Sequence, residues 1–364
     1  MTHQFTRSAA TGIALGALLA CHASPPSGAV RAPESGGGDP SSAFALDDSI
    51  PRWMSDAHVP ALALAVLHGG RVTSTRTFGV GRPGRMLDTT ALWNVASLTK
   101  PVVAVTTLRY LDGGAFSLDD PVDRWWIDPD VRDDPRHALL TARLIMSHQT
   151  GFPNWRWSLP GEKLAFEAAP GAKLGYSGEG FEYLRHVLEQ LSGASLQHLA
   201  DSLVFAPLGM RETTFGWNPA ADPGRLVAAH DTAGAALAIT PRPMSRANAA
   251  DWLVTTIGDY ARFAASVLHG AGLAPATYAE MTRAQVAFDG KPNEAMGLGW
   301  EVMRGPVTDP TILLHSGSDP GIKTIVILLP ASRRGLVLFL NGERGMDVVL
   351  RIIKAHFAIR ELTG

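Results

Sequence analysis

The chain is 364 residues long, 46% hydrophobic and 18% charged, a balance that fits a folded globular protein and excludes a disordered one. Its formal net charge is −2 and no basic block occurs, which excludes nucleic acid as a partner. The length suits one large two-lobed domain or two ordinary ones.

The first element is an export signal. Arg7 supplies a positive start, and the apolar run from Ala9 to Ala20 is too short to span a bilayer. It ends in Leu18-Leu19-Ala20-Cys21, which resembles the lipobox of bacterial lipoproteins. That resemblance implies a signal peptide over residues 1–20, cleavage before Cys21 and a lipid on its thiol. The protein would then sit in the bacterial cell envelope, exported and held to a membrane through that lipid alone. The alternative is an ordinary secretory peptide with an incidental cysteine. Cys21 is the only cysteine, so disulfides and cysteine catalysis are excluded. Residues 21–42, with Ser-Pro-Pro-Ser and Gly36-Gly37-Gly38, read as a flexible tether, leaving residues 43–364 as the domain.

Val59 to Val66 and Val72 to Phe78 are β-favouring runs around His68-Gly69-Gly70-Arg71, which predicts a hairpin. Ser97 to Leu111 reads as an amphipathic helix with Pro101 in its first turn and Gly113-Gly114 at its end. From about Leu118 to Arg246 the chain reads as short helices and loops. Phe181 to Leu191 is the clearest helix there, closed by Gly193. Gly299 to Met303, Thr311 to Leu314, Ile322 to Leu329 and Gly335 to Leu340 are β-rich runs joined by short turns, hence an antiparallel meander. A helix from Met346 to Ile359 closes the chain. Strands at both ends around a helical middle predict an α+β fold: an antiparallel sheet flanked by helices, with an inserted helical lobe over about residues 98–250 and a cleft between the lobes.

Ser97-Leu98-Thr99-Lys100 carries the chemistry. A spacing of i, i+3 puts both side chains on one helical face, where an uncharged lysine can take the serine's proton. Two further segments follow in order, Tyr176-Ser177-Gly178 and His315-Ser316-Gly317. Flanking them are Leu118-Asp119-Asp120-Pro121-Val122, the stretch from Leu144 to Gly151, and Gly297-Leu298-Gly299-Trp300. Together these resemble the class C β-lactamase, penicillin-binding protein and carboxylesterase superfamily, over roughly Phe44 to Ile359. The resemblance implies a serine hydrolase in which Ser97 forms an acyl-enzyme, with Lys100 and Tyr176 as proton-transfer partners. Which of those two is the base stays open at this point. It also implies an oxyanion hole from the N–H groups of Ser97 and Ser318. His315, Ser316, Gly317, Gly178 and Trp155 would line the substrate site.

Two positions depart from the superfamily pattern. Gly178 stands where asparagine is common, and His315 where β-lactamases and penicillin-binding proteins usually carry lysine. The first removes an amide that orients the lysine and binds the antibiotic side chain; the second removes a permanent cation for a substrate carboxylate. Both point to an ester or small amide substrate. The alternatives are a β-lactamase or D-Ala peptidase acting on peptidoglycan-like material, and a non-catalytic envelope binding protein.

Plainer readings stand beside these. Ser97 could cap a helix, Tyr176 could be a half-buried core tyrosine, and His315 a satisfied histidine at a strand end. His148 reads as structural, and Trp155 and Trp157 as core packing rather than pocket wall. Asp128 to Asp134 reads as a solvated loop without calcium-ligand spacing. Gly175 to Glu179 nearly mimics a nucleophile elbow but lacks the final glycine. No cofactor and no metal site is expected, since the histidines are scattered and no His-Glu-x-x-His occurs.

Overall fold

The computed structural model describes residues 48–82 and 84–356. The expected signal peptide, Cys21 and the tether lie outside the described residues. The chain starts with helix α1 (Ile50–Asp56), then strands β1 (Ala61–His68), β2 (Arg71–Arg82) and β3 (Arg85–Met86). The predicted hairpin is β1–β2, and Gly69 and Gly70 turn it with φ of +59° and +76°, a region that glycine enters without a Cβ clash.

The chain then leaves this sheet. Strand β4 (Trp93–Asn94) precedes helices α2 (Thr99–Asp112), α3 (Ala142–Met146), α4 (Gly178–Ser192), α5 (Leu196–Ala200) and α6 (Ala206–Leu208). Strands β5 (Thr214–Phe215) and β6 (Leu253–Thr255) pair with β4 in a small three-stranded sheet, β4-β6-β5. Helices α7 (Ile257–Leu268) and α8 (Pro275–Thr282) follow. The large sheet resumes with β7 (Val286–Phe288), β8 (Lys291–Met296), β9 (Glu301–Arg304), β10 (Thr311–Asp319), β11 (Ile322–Leu329) and β12 (Arg334–Leu340), and helix α9 (Gly345–His356) ends the described chain. Its nine strands run in the order β3-β2-β1-β12-β11-β10-β9-β8-β7, with antiparallel pairing throughout. Pairing β1 with β12 joins the two ends of the domain, which makes the α+β reading correct.

All eight residues of β11 are buried because both faces of the sheet are covered. Ile325, Ile327 and Leu329 alternate toward α1 and α9, where Ile50, Met54, Val348 and Ile352 meet them. Val326 and Leu328 point the other way, into a core shared with α2 and α7. Helix α2 corrects an expectation. It is not amphipathic: Thr99 through Leu108 are all buried, so it runs through the core and fixes Lys100 within it.

Candidate active site

Ser97 lies in a 3₁₀ turn, Ala96–Leu98, that leads directly into α2. Its hydroxyl caps neither this turn nor α2, so the capping reading falls away. Two neighbouring side chains and two from distant segments pin the turn. Asn94 Oδ1 accepts the Ala96 N–H at 2.9 Å, Thr99 Oγ donates to the Ala96 carbonyl at 2.6 Å, Tyr260 OH donates to the Leu98 carbonyl at 3.0 Å, and Thr324 Oγ donates to the Val95 carbonyl at 2.9 Å. Ala96 has φ of +49°, a strained value for alanine, held by that surrounding network.

One turn on, Lys100 is 1% exposed. Its Nζ donates to Ser97 Oγ at 3.1 Å and to the Ala250 carbonyl at 2.7 Å. Burial pushes its pKa down to about 7, with Asp251, Asp319 and Glu182 pulling the other way. Lys100 is therefore largely neutral just above pH 7, as proton removal from a serine needs.

Tyr176 precedes α4, and its ring centroid lies 4.7 Å from Lys100 Nζ. It stacks on His148 at 4.2 Å and faces the cleft with 39% of its surface exposed, so it is not a core tyrosine. Burial raises its hydroxyl pKa above the usual phenol range, and the hydrogen bond from Ser97 opposes this. The open cleft face limits that push, and the hydroxyl stays protonated at neutral pH. His148 is fully buried: its Nδ1 accepts the Ser177 N–H at 3.0 Å, and its ring forms the shelf under Tyr176. The structural reading of His148 fits this geometry.

Strand β10 runs through the third motif instead of stopping at it, so His315 sits in mid-strand. Only Thr311 to Leu314 pair with β9, which leaves residues 315–319 with an edge facing the cleft. A Cβ on Gly317 would lie 3.1 Å from Ser97 N and 2.6 Å from the Val95 carbonyl oxygen. The missing side chain is what lets the strand backbone, with the Ser318 N–H next to it, come against the Ser97 turn. His315 is 1% exposed, and burial beside Lys100 lowers its pKa to about 3. It is neutral at working pH, and Nδ1–H donates to the Ser316 carbonyl at 2.8 Å. It is not a satisfied histidine, because Nε2 is buried without a partner.

Gly178 is the first residue of α4, with Ser177 as its N-cap. A Cβ there would come within 2.7 Å of the Trp155 indole. Trp155 thus fills the space an asparagine side chain would occupy, while also packing on the core. Trp157 is 60% exposed, against the packing reading. Gly178→Asn is expected to displace the indole and cut ester turnover by about tenfold, since cramming atoms into a filled site costs about 1–3 kcal/mol. Adding Trp155→Ala should restore most of the loss, a coupling that steady-state kinetics on the double variant would reveal.

Ser97, Lys100, Trp155, Trp157, Tyr176 and the stretch from His315 to Ser318 border a cleft of about 1240 Å³, whereas Gly178, expected in the substrate site, lies behind Trp155 and does not line it. Asp251, Asp319 and Glu301 also line it and had no signal in the sequence beyond Asp319 following the third motif. Asp128 is buried and paired with Arg156 at 2.7 Å, which corrects the solvated-loop reading at that residue. Among the described residues no group of three or more His, Cys, Asp or Glu side chains could hold a metal ion, and no helix is long and apolar enough to cross a membrane.

A serine hydroxyl beside a buried lysine at the edge of a cleft, on a nine-stranded antiparallel sheet flanked by helices, is the arrangement to set beside known proteins. The chain belongs to the Beta-lactamase family, whose pattern matches residues 46–358. It is 24% identical over 323 residues to penicillin-binding protein 4* of Bacillus subtilis (strain 168), covering 79% of this chain and 69% of that one. It is 30% identical over 188 residues to esterase EstB of Burkholderia gladioli, covering 43% of this chain and 47% of the esterase. The crystal structure of D-amino acid amidase from Ochrobactrum anthropi SV3 shares the fold, with a TM-score of 0.73 at 23% identity over 87% of this chain and 99% of that one. The family makes this chain an enzyme of the serine-hydrolase type.

Proposed function

We propose that the protein hydrolyses an ester or small amide through an acyl-enzyme on Ser97, with Lys100 as the base. The observation that carries this reading is Lys100 Nζ at 3.1 Å from Ser97 Oγ, in a site that lowers the lysine pKa to about 7. Tyr176, protonated, relays the proton toward the leaving group. The Ser97 and Ser318 N–H groups receive the developing negative charge on the carbonyl oxygen. Attack joins Oγ to the carbonyl carbon and moves the hydroxyl proton to Lys100. Collapse expels the alcohol or amine with a proton, and water then releases the acid and frees Ser97.

The neutral His315 supports an uncharged group near the third motif over a carboxylate, and the Trp155 indole supports a compact acyl pocket. Both favour esters and small amides over β-lactams. An intact nucleophile and buried lysine argue against a mere binding protein, which needs neither. A fluorophosphonate probe should add its mass to Ser97 in the wild type and not in Ser97→Ala; labelling that persists in the variant overturns the assignment. The competing reading, a β-lactamase or D-Ala peptidase, is met by comparing nitrocefin and D-Ala peptides with p-nitrophenyl esters.

A further inference from the structure

Two buried imidazole nitrogens close to Lys100 have no hydrogen-bond partner among the described residues, and the proton transfers above use neither. His148 Nδ1 accepts the Ser177 N–H, so that nitrogen is bare and the ring proton sits on Nε2. His315 is the reverse: Nδ1–H donates to the Ser316 carbonyl, which can only accept, and Nε2 keeps a lone pair. One orphan is therefore a donor and the other an acceptor. Both rings are neutral, and neither is more than 1% exposed. They border the same phenol, whose ring centroid lies 4.2 Å from that of His148 and 6.5 Å from that of His315. Lys100 Nζ is 4.7 Å from the same centroid, and its charge acts on both imidazoles.

Buried polar atoms are costly to leave unpaired. The two nitrogens do not bond each other, so what satisfies them must accept from one and donate to the other. Water is the smallest molecule that does both, and a buried water usually makes about three hydrogen bonds. Lys100 supplies the third. A neutral amine has two N–H groups and one lone pair, and the Ala250 carbonyl fixes one N–H at 2.7 Å. For Lys100 to act as a base, the lone pair must face Ser97 Oγ, 3.1 Å away, so the second N–H needs another acceptor. The Tyr176 ring face is a weak one, and His315 Nε2 is beyond direct bonding reach.

We propose that His148 and His315 hold one buried water beside Lys100, and that this water fixes the amine with its lone pair on Ser97. The proposal rests on the reading of Lys100 as the base and assigns two positioning residues to it. The water accepts from His148 Nε2–H and from Lys100, and donates to His315 Nε2. When the Ser97 proton moves to Nζ, the ammonium keeps its bonds to Ala250 and the water, and no proton passes to either imidazole. A lysine in the place of His315 could not do this, because it has no acceptor.

A high-resolution crystal structure of the full chain should show one water within about 2.7–3.2 Å of both Nε2 atoms. No such peak, a peak bonded to one ring only, or a metal ion identified by anomalous scattering overturns the proposal. The pH profile of Ser97 acylation gives a second reading. A water that accepts from the ammonium favours the charged form, so losing it lowers the lysine pKa further. His315→Leu removes the acceptor: the plateau rate should fall about tenfold and the limb move to lower pH, the apparent acidity constant rising about threefold or more. His315→Gln, which restores an acceptor oxygen, should recover most of both. Asp251, Asp319 and Glu182, which act on Lys100 from other elements, are the same in all three proteins. A slower rate with the limb unmoved in His315→Leu would make the ring mere packing and overturn the proposal. Ser97 reactive toward fluorophosphonate without the water sinks this proposal alone; the water present beside an inert Ser97 sinks the hydrolase reading and leaves only the water site.

Discussion

Lys100→Met is expected to lower kcat/KM for an activated ester by about 10³-fold, within the usual contribution of a general base. The reasoning is local. Methionine matches the length and volume of the buried stem but cannot accept the Ser97 proton. The substitution leaves the Ala250 carbonyl without its donor, at a cost of about 1–3 kcal/mol, and removes an amine that burial already disfavours. Those effects oppose each other, so the melting temperature should move little while activity collapses. Steady-state kinetics with a thermal melt on the same sample separates the two. Turnover within tenfold of the wild type would show that another group, with Tyr176 the first candidate, takes the proton.

Gly317→Ala is expected to cost about 10²–10³ in kcat, the range for losing one oxyanion donor. Its methyl group would sit 2.2 Å from Thr324 Oγ and 2.6 Å from the Val95 carbonyl oxygen, atoms that are themselves hydrogen-bonded to each other at 2.9 Å. Neither can retreat without breaking that bond, so β10 must move away from the Ser97 turn and take the Ser318 N–H with it. Overpacking of this kind also costs about 1–3 kcal/mol of stability. The diagnostic pattern is a fall in kcat larger than any rise in KM, measured on an ester below its melting range. An unchanged kcat would show that the strand edge does not stabilise the transition state.

The sequence made the long, regular elements legible. The Gly-Gly hairpin, the Phe181–Leu191 part of α4 and the late strands all stand where periodicity and turn residues indicate, while α4 starts a turn earlier, at Gly178 behind its Ser177 cap. Elements missed there have physical reasons. Strand β8 reads Lys-Pro-Asn-Glu-Ala-Met, with no alternation and an internal proline, and is held in place by β7 and β9. Strands β4 and β5 are two residues long, too short for any pattern. At the site, residues with a local motif were legible: Ser97 and Lys100 by spacing, Tyr176 and His315 by resemblance. Asp251 and Glu301 were not, because their role comes from burial beside Lys100 or the cleft, which no neighbouring residue encodes. The fit between Gly178 and Trp155 was equally hidden, since a glycine reads as a gap until the side chain filling it is seen.

The most direct test is the single-turnover rate of Ser97 acylation by a neutral ester between pH 5 and 9. With the pKa of Lys100 lowered from 10.5 to about 7, the base is charged below that point and free above it, so the rate should climb with pH and level off above about 7. Glu301 is also raised to about 7, so the assignment needs variants: the limb should persist in Glu301→Gln and vanish in Lys100→Met. The apparent pKa should also drop on warming, as an amine's does and a carboxyl's barely does. A flat profile, or a limb that survives in Lys100→Met, would contradict the proposal that a neutral lysine activates this serine.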